Sequence, residues 1–236
     1  MKAANGPVIG VLGGMGPVAT ATFFDLLLRA AQRAWGAAHD GDYPGCLIDA
    51  RALPAGIDET GLTDETAAGA ILVERAKALI ACGATLIVIP CNAAHAVAPA
   101  IEAQTGVPVL HMLRTVGQRL VADGFTRAGV LCCAYTRASG LYERTFAPLG
   151  LAVEATTDDE QRAIDEAIFR VMGGDKAVLA APAFQAVLAA VGTRAKGPVV
   201  LGCTELAEAP VPSAAVKPYD SLALLAQAVI EKFLPV

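Results

Sequence analysis

The chain has little charge, no basic run and no long apolar segment. Charged residues are 17% of its 236 positions and hydrophobic residues 55%. That balance excludes a disordered chain and fills a sizeable core. Lys and Arg number 18 against 23 Asp and Glu, a net charge of −5. With no basic stripe to track phosphates, nucleic acid is an unsuitable partner. No apolar run approaches the roughly 20 residues of a membrane helix, so no membrane partner is expected. Met1 to Gly14 holds one Lys and a short apolar stretch broken by glycines, without the h-region or cleavage site of a secretory signal. The expected location is the cytoplasm.

Chemical signatures are missing too. The six cysteines, Cys46, Cys82, Cys91, Cys132, Cys133 and Cys203, show no CxxC spacing. A disulfide framework is therefore not expected, nor is a zinc site. No His/Asp/Glu cluster has ligand spacing and no Lys stands where pyridoxal phosphate would be held. Neither metal nor other cofactor is implied.

What is present is an alternation of strand and helix signals. Val8 to Leu12 is a short apolar run closed by Gly13, Gly14 and Gly16, and Pro17 opens a helix to about Ala34. Cys46 to Ile48 reads as a strand, Thr63 as the cap of a helix ending near Gly83, and the β-branched run Thr85 to Ile89 as a buried strand. An Ala-rich helix with Pro99, a strand at Val107 to Leu110 and a helix over Thr115 to Ala122 follow. The second half offers strands at Ala128 to Cys132, Leu151 to Glu154 and Pro198 to Leu201. Its helices are one capped by Ser139 and reaching Phe146, then Asp159 to Met172, Pro182 to Val191, and Ser221 to about Phe233. This is an α/β pattern with mainly parallel sheets.

The halves echo one another. Gly10-Val11-Leu12 is answered by Gly129-Val130-Leu131. The run from Leu86 to Asn92 is answered by Val199 to Thr204, and Pro108 to His111 by Lys217 to Asp220. The separations from glycine to cysteine are 91 − 10 = 81 and 203 − 129 = 74 residues. Each half thus places one cysteine, Cys91 or Cys203, at the carboxyl end of a buried strand, where open α/β sheets bind ligands. Each should enter a helix N-terminus, which lowers a thiol pKa from its free value of about 8.5. If the halves face each other, one thiolate takes a proton from a carbon and the opposite thiol returns one to the other face.

The remaining candidates have roles around that pair. Cys46 and Cys82 read as packing residues, and Cys133 as a possible lining of the cleft. Anion holders would be the glycine loop with Gly14 and Met15, then Asn92, Thr136 and Thr204. His95 and Glu205 lie four and two residues beyond their cysteines and could tune them; His111 ends a strand and His39 reads as a surface loop. Residues 14–19 formally fit GxGxxA, but Pro17 removes an N–H and the acidic residue expected about 20 positions on is not clearly placed at the end of a second strand, Asp49 coming much later, against a nucleotide-binding module.

With GVLGGMGP opening the chain, PCNAAH from Pro90 to His95 and LGCTEL from Leu201 to Leu206, the sequence resembles the aspartate/glutamate racemase family over nearly its whole length. The resemblance implies two similar three-layer α/β domains related by a pseudo-twofold axis, with the active site in the cleft between them. The expected boundaries are 1–100 plus 208–236, and 101–207, the last helix returning to the first domain. It implies cofactor-independent racemisation by Cys91 and Cys203, a homodimer, and an amino acid or related carboxylate as substrate, aspartate or glutamate foremost. Gly14, Met15, Asn92, Ala93, Thr136 and Thr204 would line the substrate. Other superfamily chemistries are hydantoin racemase, maleate isomerase and arylmalonate decarboxylase; a silent binding protein of this fold is a further reading. The chain departs from the family's pattern in four places, one being Cys132 and Cys133 where many members have an Ala-Thr pair before the second-half loop. Ala93 replaces the usual Thr. No Arg follows Pro54, where Ala55, Gly56 and Ile57 stand, and no Lys follows Asp158 and Asp159. Arg51 and Arg162 are the available substitutes for those cations.

Overall fold

A computed structural model describes residues 6–53, 57–58, 61–211 and 216–233. The chain forms two compact units. The first takes Met1–Ile57, Asp64–Met112 and Leu222–Val236, and the second Asp58–Thr63 and Leu113–Ser221.

The first unit opens with strand β1 (Ile9–Leu12), helix α1 (Pro17–Trp35) and strand β2 (Cys46–Asp49). Pro17 occupies the first turn of α1, where its missing N–H costs nothing, and Gly36 closes the helix in the left-handed region. A two-stranded pair, β3 (Ile57–Asp58) and β4 (Gly61–Leu62), follows. Helix α2 (Glu65–Ala81) is capped by Asp64, whose carboxylate accepts the Ala67 N–H at 2.9 Å. The cap is therefore one residue later than the expected Thr63. After β5 (Leu86–Val88) comes a 3₁₀ turn over Ala93–Val97, then α3 (Ala98–Thr105) and β6 (Val109–Leu110).

Helix α4 (Met112–Ala122) leads to β7 (Arg127–Leu131) of the second unit. In place of one Ser139-capped helix there are two, α5 (Ala134–Ala138) and α6 (Leu141–Phe146), separated by Gly140 at φ 65°. The Ser139 hydroxyl donates backward to the Thr136 carbonyl. Then come β8 (Ala152–Glu154), α7 (Asp158–Met172), α8 (Pro182–Ala195), β9 (Pro198–Leu201), β10 (Lys217–Asp220) and α9 (Ser221–Glu231). Thr157 and Glu160 form a reciprocal capping box at the start of α7.

Both four-stranded sheets are parallel, one ordered β2-β1-β5-β6 and the other β10-β9-β7-β8. Ranked by appearance in the chain, each runs second, first, third, fourth. The three sequence echoes thus fall on equivalent strands: β1 and β7, β5 and β9, β6 and β10. The pairing fixes where the units divide. Because β6 is bonded to β5, residues 101–112 belong with the first unit. Because β10 is bonded to β9, residues 208–221 belong with the second. The divisions expected after residues 100 and 207 are displaced accordingly.

Register and packing repeat as well. Gly10 faces Ile87 across the ladder and Gly129 faces Val199. Both glycines admit a close neighbour: a Cβ on Gly10 would lie 2.7 Å from Ile87 Cδ1, and one on Gly129 2.2 Å from Val191 Cγ1 of α8. The first core is built on Ile9, Val11, Phe23, Leu27, Leu72 and Ile87, the second on Leu131, Phe146, Ile164, Val191, Val199 and Val200. Each such side chain contributes about 1.5–3 kcal/mol on burial.

Candidate active site

In each sheet the chain leaves its first strand toward one neighbour and later returns on the other side. That creates a switch point at the carboxyl ends of β1 and β5, and another at those of β7 and β9. Cys91 lies 91 − 87 = 4 residues beyond the Ile87 that faces Gly10, and Cys203 lies 203 − 199 = 4 beyond the Val199 that faces Gly129. Equivalent ladder positions therefore deliver a thiol to the switch point of each unit. Cys91 is 9% exposed and Cys203 is half-buried. Neither enters an α-helix. Cys91 precedes the 3₁₀ turn at Ala93–Val97 and Cys203 the one at Thr204–Leu206. So short a turn has little dipole, so the helix-terminus activation expected for the thiols is not what these turns supply.

At the first switch point the loop after β1 is held from three sides. The Gly13 N–H donates to the Asp49 carbonyl at 2.8 Å. The Gly14 N–H donates to Thr20 Oγ1 at 2.9 Å, and that hydroxyl donates onward to the Gly16 carbonyl. Arg75, buried on α2, donates through Nη2 to the Gly13 carbonyl and through Nε and Nη2 to both Asp49 carboxylate oxygens. Gly14 has φ +86°, and a Cβ there would meet the Arg51 carbonyl at 2.1 Å, so only glycine fits. Its N–H is engaged by Thr20, and the space a side chain would take is filled by the Arg51 main chain. Met15, which follows it, is buried.

Asn92, Ala93 and His95 are buried beside Cys91. His95 Nδ1 lies 2.9 Å from the Cys91 carbonyl, and His95 Nε2 accepts the Met112 N–H at 3.0 Å. A carbonyl can only accept, so Nδ1 carries the proton and the ring is neutral. Burial, reinforced by the neighbouring His111, pushes its pKa down to about 3. The two imidazoles lie 4.7 Å apart. His95 touches the main chain of Cys91 and fixes the backbone around the thiol.

At the second switch point, Cys203 Sγ donates to Glu205 Oε2 at 2.9 Å, and Thr204 Oγ1 donates to the same oxygen at 3.0 Å. Cys133 Sγ and Thr136 Oγ1 are 3.3 Å apart and both buried. Burial raises the Cys133 thiol pKa, with Asp165 and Glu205 adding to the rise. Its neighbour Cys132 is pushed well up by burial. Beneath Cys203, the fully buried Tyr142 packs against Gly202, where a Cβ would lie 2.9 Å from its hydroxyl.

The two arginines named as cation substitutes are each paired with a neighbouring carboxylate. Arg51 folds back onto Asp49 through Nε and Nη2 and is exposed. Arg162 is exposed and paired with Asp159. Pro54, Ala55 and Gly56 lie outside the described residues. Among the other cysteines, Cys46 is half-buried, with its pKa raised to about 11 by burial. Cys82, expected to pack, is exposed at the end of α2.

Sequence reasoning missed Asp165 and Gln161 of α7. Gln161 Nε2 donates to the Cys132 carbonyl and to Asp165 Oδ1, and Asp165 Oδ1 also accepts the Ala134 N–H at 3.0 Å. Their signal was legible: two polar residues four apart, on the buried stripe that also carries Ile164 and Ile168. Arg75 was hidden similarly, as a cation inside the apolar face of α2. Among the described residues no group of three His, Cys, Asp or Glu side chains could hold a metal ion. No helix among them is long and apolar enough to cross a membrane.

The fold with these two parallel sheets matches solved structures of Asp/Glu racemases. A putative Asp/Glu racemase from Yersinia pestis superposes with a TM-score of 0.84 at 23% identity, over 97% of this chain and 100% of that one. An aspartate racemase from Picrophilus torridus superposes at 0.74 and 24% identity, over 97% and 94%. The chain belongs to the Asp/Glu/hydantoin racemase family, whose model matches residues 12–229, and is an isomerase of the amino-acid racemase class. A broad specificity amino-acid racemase from Bacillus subtilis is 30% identical over 161 residues, 68% of this chain and 69% of that protein.

Proposed function

We propose that the chain racemises a free amino acid by two-base proton transfer at the α-carbon, with Cys91 and Cys203 as the bases. The observation that carries this reading is the matched register, which delivers one thiol four residues beyond the equivalent ladder position of each sheet. In one direction the Cys91 thiolate forms an S–H bond with the α-proton as the C–H bond breaks. The electron pair moves into the α-carboxylate, and Cys203 then gives its own proton to the opposite face of the carbon. The reverse direction exchanges the roles. Both transfers run through sulfur, and the reading calls on no cofactor.

The Cys203–Glu205 contact suits this cycle. A carboxylate beside the thiol holds Cys203 in its S–H form, ready to donate, and is a proton acceptor when Cys203 must act as base. Asn92, Thr136 and Thr204 are the side chains assigned to the substrate's ammonium and carboxylate, with Met15 and Ala93 forming apolar walls beside the Gly14 turn. Catalytic thiols must remain reduced, which suits the cytoplasm. From the family resemblance the reading takes a homodimer, to be checked by sedimentation.

The test is incubation of the full chain with single enantiomers in heavy water. Deuterium should enter the α-position as the opposite enantiomer accumulates. A folded protein that exchanges no α-hydrogen in any amino acid contradicts the reading.

A further inference from the structure

Cys133 is a buried thiol that the proton-transfer cycle does not use. Its position relative to Cys203 follows from the ladder. Strands β7 and β9 are parallel neighbours whose last paired residues are Leu131 and Leu201. The Gly202 N–H donates to the Leu131 carbonyl at 2.7 Å, so the two chains stay bonded one step beyond that pair. Cys133 (φ −65°, ψ 159°) and Cys203 (φ −131°, ψ 138°) are both still extended. Carried two residues past Leu131 and Leu201, the register sets Cys133 against Cys203. Neighbouring parallel strands lie about 4.8 Å apart, inside the range of roughly 4.4–6.8 Å that separates disulfide-bonded Cα atoms.

Side chains alternate along an extended chain, so Cys133 and Cys203 share one side, and Cys132 and Gly202 the other. Tyr142 occupies that other side. It lines a cavity together with Cys132, and a Cβ on Gly202 would lie 2.9 Å from its hydroxyl. Cys132 is thereby turned away from Cys203. The two facing thiols also differ in readiness. Cys203 is half-buried, and its S–H is held by Glu205 Oε2 at 2.9 Å, a base placed to take its proton. Cys133 is buried beside Thr136, and burial raises its pKa. An oxidant entering the site therefore meets a Cys203 thiolate first, with a protonated thiol next to it.

We propose that Cys133 is a resolving cysteine, which converts a peroxide-oxidised Cys203 into a reversible Cys133–Cys203 disulfide. The Cys203 thiolate sulfur takes one peroxide oxygen as the O–O bond breaks and hydroxide leaves, giving a sulfenic acid. The Cys133 sulfur then forms the S–S bond as the S–O bond breaks, and its proton leaves with the hydroxyl as water. The two sulfurs give up two electrons, which reduce the peroxide. A small dithiol returns them by exchange. In the disulfide Cys203 has no proton to give, so turnover stops. Without Cys133 the sulfenic acid is open to a second oxidation, to the irreversible sulfinic acid. The loss of turnover rests on the racemase reading; formation of the bond does not.

The experiment treats the full-length protein and Cys133→Ser with hydrogen peroxide, blocks free thiols with iodoacetamide and locates the oxidised sulfurs by peptide mapping. Amino-acid α-deuteration is followed before treatment, after it, and after dithiothreitol, each protein being compared with its own untreated rate. The native chain should lose two hydrogens in mass, with Cys133 joined to Cys203, and dithiothreitol should restore its exchange. Cys133→Ser should instead gain oxygen at Cys203 and recover at least about fivefold less of its exchange. In the native chain, Cys203 joined to Cys91 or Cys132, oxygenated beside a free Cys133, or left unoxidised overturns the inference. That arm needs no variant and holds if Cys133→Ser fails to fold. Equal recovery in a folded Cys133→Ser overturns the resolving role. A Cys133–Cys203 bond in a chain that exchanges no amino acid supports the disulfide and overturns the racemase reading.

Discussion

Replacing Arg75 by methionine removes the cation that binds three chain segments together at the first switch point. Its side chain is 6% exposed and its Asp49 partner 8% exposed. Four hydrogen bonds vanish: to Asp49 Oδ1 at 2.8 Å, to Asp49 Oδ2 at 2.9 Å, to the Gly13 carbonyl at 2.9 Å and to the Asp49 carbonyl at 3.0 Å. Breaking a buried pair by deleting one partner costs about 3–5 kcal/mol, because the other charge is left buried. Asp49 keeps the exposed Arg51, and methionine refills much of the volume, so the expectation is the lower end, about 3 kcal/mol. For a chain of this size that is a fall in Tm of about 6–12 °C. The pH dependence is a second readout. Arg51, then Arg75, hold the Asp49 carboxyl well below the usual carboxylate range. A depressed carboxyl stabilises fully above its unfolded pKa of about 3.9 and loses that stabilisation as pH falls toward the folded value. The variant should therefore show a shallower loss below about pH 4. Urea unfolding followed by circular dichroism, on Arg75→Met, Asp49→Asn and the double variant, measures both effects. A loss under about 1 kcal/mol in Arg75→Met, with additive single effects, would refute the reasoning.

Two further perturbations separate the residues that support the thiols. Glu205→Gln removes the carboxylate that accepts the Cys203 S–H; kcat should fall about a hundredfold or more with the fold intact, as expected for a group that moves a proton, and unchanged kcat would show Glu205 to be idle. His95→Gln should keep both main-chain contacts while abolishing an acid-side stability slope. The His95 pKa is lowered in the fold, so its contribution is complete above about pH 6.5 and is lost below it, at up to about 1.4 kcal/mol per pH unit down to about pH 3. Urea midpoints from pH 7 to 4 should fall less steeply in His95→Gln than in the native chain; parallel slopes would show that His95 is protonated in the fold.

The sequence carried the fold wherever one physical cause dominated. Buried parallel strands are β-branched runs, and Leu86–Val88 and Pro198–Leu201 could be little else. The repeat was readable because the same close packing demanded glycine at Gly10 and Gly129, and it located both cysteines. Boundaries were less legible. Thr63 and Asp64 compete for one cap, and the choice depends on which oxygen reaches the Ala67 N–H. Ser139 has capping chemistry, yet its hydroxyl goes to the Thr136 carbonyl because the chain bends at Gly140. The divisions between units depended on strand neighbours, which β6 and β10 chose through long-range pairing. Local spacing could not show that Arg162 faces solvent while Gln161, its neighbour, reaches the Cys132 carbonyl. Nor could it show that the Gly14 N–H is taken by Thr20, since that contact exists only once the loop is closed.

The central claim is that two sulfur atoms divide the two faces of one α-carbon. Its most direct test is α-hydrogen exchange by Cys91→Ala and Cys203→Ala in heavy water, with each enantiomer of the best substrate supplied separately. Each variant should stop producing the opposite enantiomer, and any α-exchange it retains should be confined to one enantiomer, a different one for each variant. Sustained interconversion of both enantiomers by either variant would contradict the account.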